Sequence, residues 1–467
     1  MNRRIVKLST IGCAGVILSG CATYTPEPLD TDSLTHELVV PDEPAIQVLV
    51  SQLADPVLSS VVIDLSDGVS PDEAAVLSVV LNPSLRAQRA SRGIATAEVL
   101  NAGLLPDPVL SISADLPSGG ATGGANTGTG IGLDWAMSDL IDRQARIDAA
   151  DRSKESIDLG ILWAETLVSI NAKGLVYGVE AGERSLSLLD DEIRLLEENV
   201  DRVKVALDAG QMTEVDMAAA RASRDAAKTQ RTTLNEQLER ARIDLATLMG
   251  FPPDANVRVK VSLNDELDEP AGALSDLLKT MESDRLDLLA LRRGYDSQEA
   301  KVRAAILRQF PRFSVGPNLA RDTGNLTTVG IGIGIELPIF NANRGEIAIE
   351  RATRALLAAE YTTRVHEARS GLAQELNRLV SAQSRLTTLH SSEQSQAKLV
   401  ETYRIGLEQG HVDVLSYYQA RRDLIEIRIV EVQTAAQIHN SRLLIEVLSG
   451  ERWQSETGDG EVQEGAE

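Results

Sequence analysis

Few side chains in this sequence are spaced to do chemistry. There are two cysteines, and Cys21 follows Leu18-Ser19-Gly20 at the end of a segment with Arg3, Arg4 and Lys7 ahead of an apolar run from Ile11 to Leu18. A positive region, an apolar core and a small-residue site are the pattern of an export signal cut beside that cysteine. Cleavage there removes Cys13, so the exported chain keeps one thiol and can hold neither a disulfide nor a cysteine metal site. His36, His366, His390, His411 and His439 show no HxxxH or HExxH spacing and read as solvated or packed residues. Acid pairs such as Asp190-Asp191 and Glu197-Glu198 fall on helical runs and read as solvated faces rather than as a general acid and base. With no Ser/His/Asp order, no phosphate-cradling glycine loop and no metal-ligand cluster, no catalysis, cofactor or metal is expected.

The elements that dominate the chain are long helices that stop at a glycine and turn back. Val179, Gly182, Leu186, Leu189, Ile193, Leu196, Val200, Val203 and Leu207 step by threes and fours, the seam of helices that supercoil left-handedly. Asp190, Asp191, Glu192, Arg194, Glu197 and Glu198 fall off that seam. Gly210 breaks the run, and Met217, Ala220, Ala227, Leu234, Leu238, Ala241, Leu245 and Leu248 resume it as far as Gly250. The same plan returns around Gly410 and Gly450, each 200 residues on (410 − 210, 450 − 250). A helical hairpin is duplicated. Arg224 and Arg231 occupy seam positions and must reach either water or an acid on a neighbouring helix.

Between the helices the period changes to two. Leu110, Ile112, Ala114 and Leu116 alternate with Val109, Ser111, Ser113 and Asp115; then, past a Gly-rich loop, Ile131, Leu133 and Trp135 alternate with Gly130, Gly132 and Asp134. In the second half Phe313 and Val315 precede Ile331, Ile333, Ile335 and Leu337, which alternate with Gly330, Gly332, Gly334 and Glu336. About ten such residues cross a bilayer as a strand. Four strands cannot close a barrel, which needs about eight, and an open edge in lipid leaves backbone groups unpaired. Three copies supply twelve strands and twelve helical rods. Ile131, Leu133, Trp135, Ile331, Ile333 and Ile335 are then expected to face lipid, and glycines, serines, Asp115, Asp134 and Glu336 a wet lumen. No later stretch offers about eighteen consecutive apolar residues, and a net charge of −23 argues against nucleic acid or an anionic surface as the main partner. Aromatics are 3% of the chain, so any girdle at the barrel rims is thin.

Leu18-Ser19-Gly20-Cys21 resembles the lipobox of bacterial lipoproteins, in which the cysteine carries the lipid, and Ala22 after it implies delivery to the outer membrane. The order helix, strand pair, long helical hairpin, repeated once, resembles the TolC-like outer membrane efflux proteins, nearest their lipoprotein subgroup. The motifs that carry the likeness are Asn82-Pro83-Ser84-Leu85, Pro106-Asp107-Pro108, Gly332 to Phe340, and the turns Leu207 to Asp216 and Leu407 to Ser416. The resemblance implies a mainly α fold with a small membrane β-barrel: a homotrimer whose 12-stranded barrel continues into an α-helical tunnel. It implies a passive conduit that meets a periplasmic adaptor protein linked to an inner-membrane transporter, in efflux or type I secretion. Drugs, heavy metals and polypeptides are all carried by relatives, and nothing in the sequence selects among them.

The expected organisation is a signal peptide (1–20), a lipid-anchored extended segment (21–71), a first repeat (72–250, hairpin 108–137), a linker (251–272) in which Val257, Val259 and Val261 form a small strand, a second repeat (273–450, hairpin 311–339) opening on one helix over about 273–308, and an acidic tail (451–467). In the family the helix turns are the periplasmic tip, which places Gly210, Thr213, Asp216, Gly410, Asp413 and Ser416 at the adaptor contact and makes Asp413 and Asp216 candidate aperture acids. The same residues suit helix caps: glycine takes the left-handed conformation that ends a helix, and Thr213 with Asp216, like Asp413 with Ser416, fits an N-cap and its third residue. Both roles stay open. A non-conducting coiled-coil scaffold lipoprotein and an autonomous diffusion porin are the competing readings; the first leaves the alternating hairpins unexplained, the second the long helices.

Overall fold

In the computed structural model, which describes residues 24–29, 39–52, 56–119, 123–263 and 274–450, the heptads form two antiparallel helical hairpins. Residues 24–29 have neither helix nor strand, and the helices and strands of the described residues lie in the compact unit that begins at Pro41. Cys21, the signal segment and the tail after Gly450 lie outside the described residues. Two short helices, α1 (Glu43–Ser51) and α2 (Pro56–Ser59), occupy the segment expected to be extended. Asp42 caps α1, and Ile46 and Val50 bury one side of it.

The first repeat continues with α3 (Pro71–Leu81), α4 (Pro83–Gly103), strands β1 (Val109–Asp115) and β2 (Gly128–Asp134), the long α5 (Arg143–Asp208) and its return helix α6 (Glu214–Leu248). The second consists of α7 (Leu274–Asp284), α8 (Leu286–Leu307), β3 (Arg312–Arg321), β4 (Thr327–Glu336), α9 (Arg344–Glu408) and α10 (Val414–Ser449). The single helix expected over 273–308 is thus two, parted at Arg285, whose ψ of 117° mirrors the ψ of 119° at Asn82 between α3 and α4. The break is held by burial: the Arg285 guanidinium pairs with Asp287 at 2.8 Å and lies 5.1 Å from the Trp163 ring. Val257, Val259 and Val261 form no strand; only Val259 bridges Val69.

Gly210, Gly250, Gly410 and Gly450 have φ of +72°, +73°, +74° and +79°, the left-handed stop the repeat predicts. At Gly250 glycine is also required by space, since a methyl group there would stand 2.5 Å from the Leu81 carbonyl oxygen.

α5 packs on α6 and α10, and α10 on α9. Leu189, Ile193, Leu196, Val200 and Val203 of α5 are buried with Met217, Ala220 and Ala227 of α6 and Val414, Tyr417, Tyr418, Ile425 and Ile429 of α10. Nearer the sheet the neighbours change, with α4, α5, α8 and α9 side by side. At about 1.5 Å per residue the 66 residues of α5 span roughly 100 Å. An 18-residue window of α5 reaches mean hydropathy 1.2, the nearest approach to a spanning helix among the described residues, and 28% of that window is buried within the chain.

The four strands form one antiparallel sheet in the order β1-β2-β3-β4. Ile112 faces Ile131, Ile131 faces Leu319, and Leu319 faces Val329. Because partners directly opposite share a face, the register joins both hairpins into one apolar surface. Leu110, Ile112, Ile131, Leu133, Phe313, Leu319, Val329, Ile331, Ile333 and Ile335 on it are all exposed. β1 and β2 have seven residues each, shorter than the ten expected, while β3 and β4 have ten.

Candidate functional site: the helix turns and the two-faced sheet

Each helix turn is built on the same frame. After α5, Gly210 N–H donates to the Leu207 carbonyl (2.9 Å) and Gln211 N–H to Ala206 (2.8 Å); after α9, Gly410 N–H donates to Leu407 (3.1 Å) and His411 N–H to Gly406 (2.8 Å). These are paired C-terminal closures around a left-handed glycine. The return helices then open on caps. Thr213 N–H donates to Asp216 Oδ2 (2.8 Å), and Asp216 N–H donates to Thr213 Oγ1 (3.3 Å). Asp413 Oδ1 accepts Ser416 N–H (2.9 Å), and its Oδ2 accepts the Ser416 hydroxyl (2.6 Å). The cap role is therefore filled by all four residues, with Thr213 and Asp413 exposed and Asp216 and Ser416 half-buried. The Ser416 hydroxyl, helped by the Ser416 N–H, holds the Asp413 carboxyl below its ordinary value of 3.8.

Where the hairpins meet stands a pair that the heptad pattern does not reveal. Glu192, which falls off the first seam, is 4% exposed. Arg421 Nε donates to its Oε1 at 2.9 Å, and Arg421 Nη2 to its Oε2. Arg421 Nη1 also donates to the Tyr417 hydroxyl at 3.2 Å. Burial lowers the Arg421 pKa, and the hydrogen bonds and charge of Glu192 outweigh that and leave it raised. The seam arginines divide: Arg231 reaches Asp190 on α5 at 2.5 Å, whereas Arg224 pairs with its neighbour Asp225 at 2.7 Å.

Behind the apolar surface of the sheet lies a face of Ser111, Ser113, Ser314, Asn318, Thr328 and the strand glycines, with Asp134 beside Ser314, Arg312 and Glu336 at one end and Asp115 at the other. Ile131, Leu133, Ile331, Ile333 and Ile335 sit together on the opposite face. Trp135 is half-buried at the end of β2, where its indole donates to the Pro106 carbonyl at 2.8 Å. Among the described residues no cluster of three or more His, Cys, Asp or Glu is placed to hold a metal.

This fold is shared with solved outer membrane channels. Residues 277–451 match the family model of outer membrane efflux proteins, so the resemblance carried by the sequence motifs is borne out over the second repeat. Most of the chain superposes on solved channels: on CusC, whose structures are described as reviewing conformational changes accompanying folding and transmembrane channel formation, with a TM-score of 0.71 at 16% identity over 88% of this chain and 98% of that one. The outer-membrane channel OprN gives 0.70 at 20% identity over 87% and 93%. The Campylobacter jejuni CmeC outer membrane channel gives 0.72 at 16% over 82% and 86%. No curated protein sequence matches the chain.

Proposed function

We propose that this chain is the outer membrane channel-tunnel of a tripartite efflux or type I secretion system, a lipid-anchored homotrimer in the outer membrane that extends into the periplasm. The observation that carries this reading is the sheet: one continuous exposed apolar face, one polar face, and two unpaired edges, β1 and β4. In the order β1-β2-β3-β4 the edge strands run in opposite directions, so β4 of one copy can pair antiparallel with β1 of the next. Three copies close twelve strands without an exposed edge. The exposed faces of α4, α6 and α9 then meet between copies, and the helices continue the barrel as a tunnel. The turns at Gly210 and Gly410 form its far end, the surface for a periplasmic adaptor linked to an inner-membrane transporter. Cys21 carries the lipid.

Purified protein in a planar lipid bilayer tests the reading. Small discrete current steps are expected; no current favours a non-conducting scaffold, and large unregulated current without an adaptor favours a porin.

Within this reading Asp413 lines the aperture. Asparagine at 413 keeps the acceptor for Ser416 N–H and loses the charge, so Asp413→Asn is expected to lower the cation preference of the steps while leaving helix content unchanged. A reversal potential unmoved by the substitution would leave Asp413 as a cap alone. The pH dependence has a definite sign. A carboxyl whose folded pKa is depressed keeps its stabilisation above the unfolded value and loses it only as pH falls through the folded value. Cation preference from Asp413 therefore persists to below about pH 3.8.

A further inference from the structure

On the polar face of the sheet Ser111, Ser113, Ser314 and Asn318 each lie over a glycine of the adjacent strand, while Thr328 stands opposite Ala320. A methyl group built on Gly130 would stand 2.5 Å from Ser113 Oγ, on Gly132 2.8 Å from Ser111 Oγ, and on Gly334 2.7 Å from Ser314 Oγ. Asn318 is laid along β4, with Oδ1 2.7 Å from the methyl position of Gly330 and Nδ2 3.7 Å from that of Gly332. The hydroxyls bond sideways: Ser111 Oγ donates to the Gly132 carbonyl at 3.3 Å and Ser314 Oγ to Asp134 Oδ2 at 3.0 Å. Charge enters the face at Asp134, which stands between the Ser314 and Asn318 rows, and at Arg312, Glu336 and Asp115 toward its ends.

From this geometry we infer that Ser111, Ser113, Ser314 and Asn318, folded flat into gaps left by the facing glycines, set the free bore of the barrel, and so the size of solute that it admits. This rests on the trimeric barrel reading. The glycines are needed for reasons other than backbone conformation, because none on these strands has a positive φ. Their missing side chains are the space the polar groups occupy. In a twelve-stranded barrel each position recurs three times around the lumen, so one lifted side chain narrows the bore from three sides.

The test is Gly330→Ala. The added methyl displaces the Asn318 amide, and the way toward β2 is already taken by Ser111 over Gly132; the amide must rise into the lumen. Single-channel conductance of the full chain is expected to fall roughly 1.5-fold, and the largest neutral poly(ethylene glycol) that enters from the strand-loop side should become smaller. Removing the displaced group, Gly330→Ala with Asn318→Ala, should restore both. Gly332→Ala, with nothing nearer than 3.7 Å, should change neither. If the parent conducts and Gly330→Ala leaves conductance and polymer size unchanged, or the second substitution fails to restore them, the inference is overturned. A parent that carries no current overturns the channel reading instead.

Discussion

Arg421→Ala is expected to destabilise the helical layer by about 3–5 kcal/mol, the cost of breaking a buried ion pair from one side. The size follows from what is left behind. Glu192 has 5% of its side chain exposed against 16% for Arg421, and around it lie Leu189, Ile193 and the α10 residues of the same apolar cluster. With the guanidinium gone, both carboxylate oxygens lose their charged donors while the carboxylate stays largely buried. The Tyr417 hydroxyl loses its donor as well. The pair also ties α5 of the first repeat to α10 of the second, so its loss loosens the contact between the hairpins more than it loosens either hairpin. Denaturant unfolding followed by helical ellipticity measures the loss. Replacing both partners with apolar residues of similar size, Glu192→Leu with Arg421→Met, should recover most of it, because the net value of a buried pair over a packed apolar isostere is near zero. If Arg421→Ala proves as mild as an exposed pair, below about 1 kcal/mol, the pair does not hold the hairpins together.

That Glu192 escaped the heptad reading has a physical cause. A single seam describes one partner, and around Glu192 α5 has two, α6 on one side and α10 on the other. Leu186, Leu189, Ile193 and Leu196 are apolar and buried, as their spacing predicts. Glu192, one residue from Ile193, lies on the flank that meets α10, which a one-stripe reading assigns to solvent. The hairpins, their glycine stops, the strand faces and the repeat were all legible because each rests on local periodicity or on a left-handed glycine. The helix break at Arg285 was not, because its side chain is held by Trp163, 122 positions earlier (285 − 163). In the turns the cap chemistry of Thr213, Asp216, Asp413 and Ser416 was legible from spacing three residues apart. The glycines of β2 and β4 showed as an alternating face, but which polar side chain lies over which glycine depends on strand register. That register joins residues about 190 apart, such as Ile131 and Leu319.

Register also makes Gly316 the strand glycine least able to accept a side chain, and Gly316→Ala is expected to part the two β-hairpins. β2 and β3 pair from Thr129 with Arg321 to Gly132 with Asn318. Beyond that Pro317 offers no N–H, so the ladder lapses opposite Leu133. It resumes where Trp135 and Val315 exchange two hydrogen bonds of 3.0 Å. Across the gap the backbones close in: a methyl group on Gly316 would lie 1.5 Å from the Leu133 carbonyl oxygen, 2.5 Å from its carbon and 3.1 Å from Asp134 Cα. All three atoms are main chain, so no rotamer change relieves the overlap and β2 must move away from β3. Among the described residues this is the one seam joining the strands of the first repeat to those of the second, and the cost should reach the upper end of overpacking, about 3 kcal/mol or more. In the assembled protein the expected result is loss of the closed barrel, seen as protease cleavage within the strands and disappearance of current steps, while helical ellipticity is retained. Gly332→Ala is the matched control. It lies in the same sheet with only ordinary contacts, none nearer than 3.7 Å, at its methyl position, and it should assemble and resist protease as the parent does; equal behaviour of the two variants would mean that the close approach at Gly316 does not hold the hairpins together.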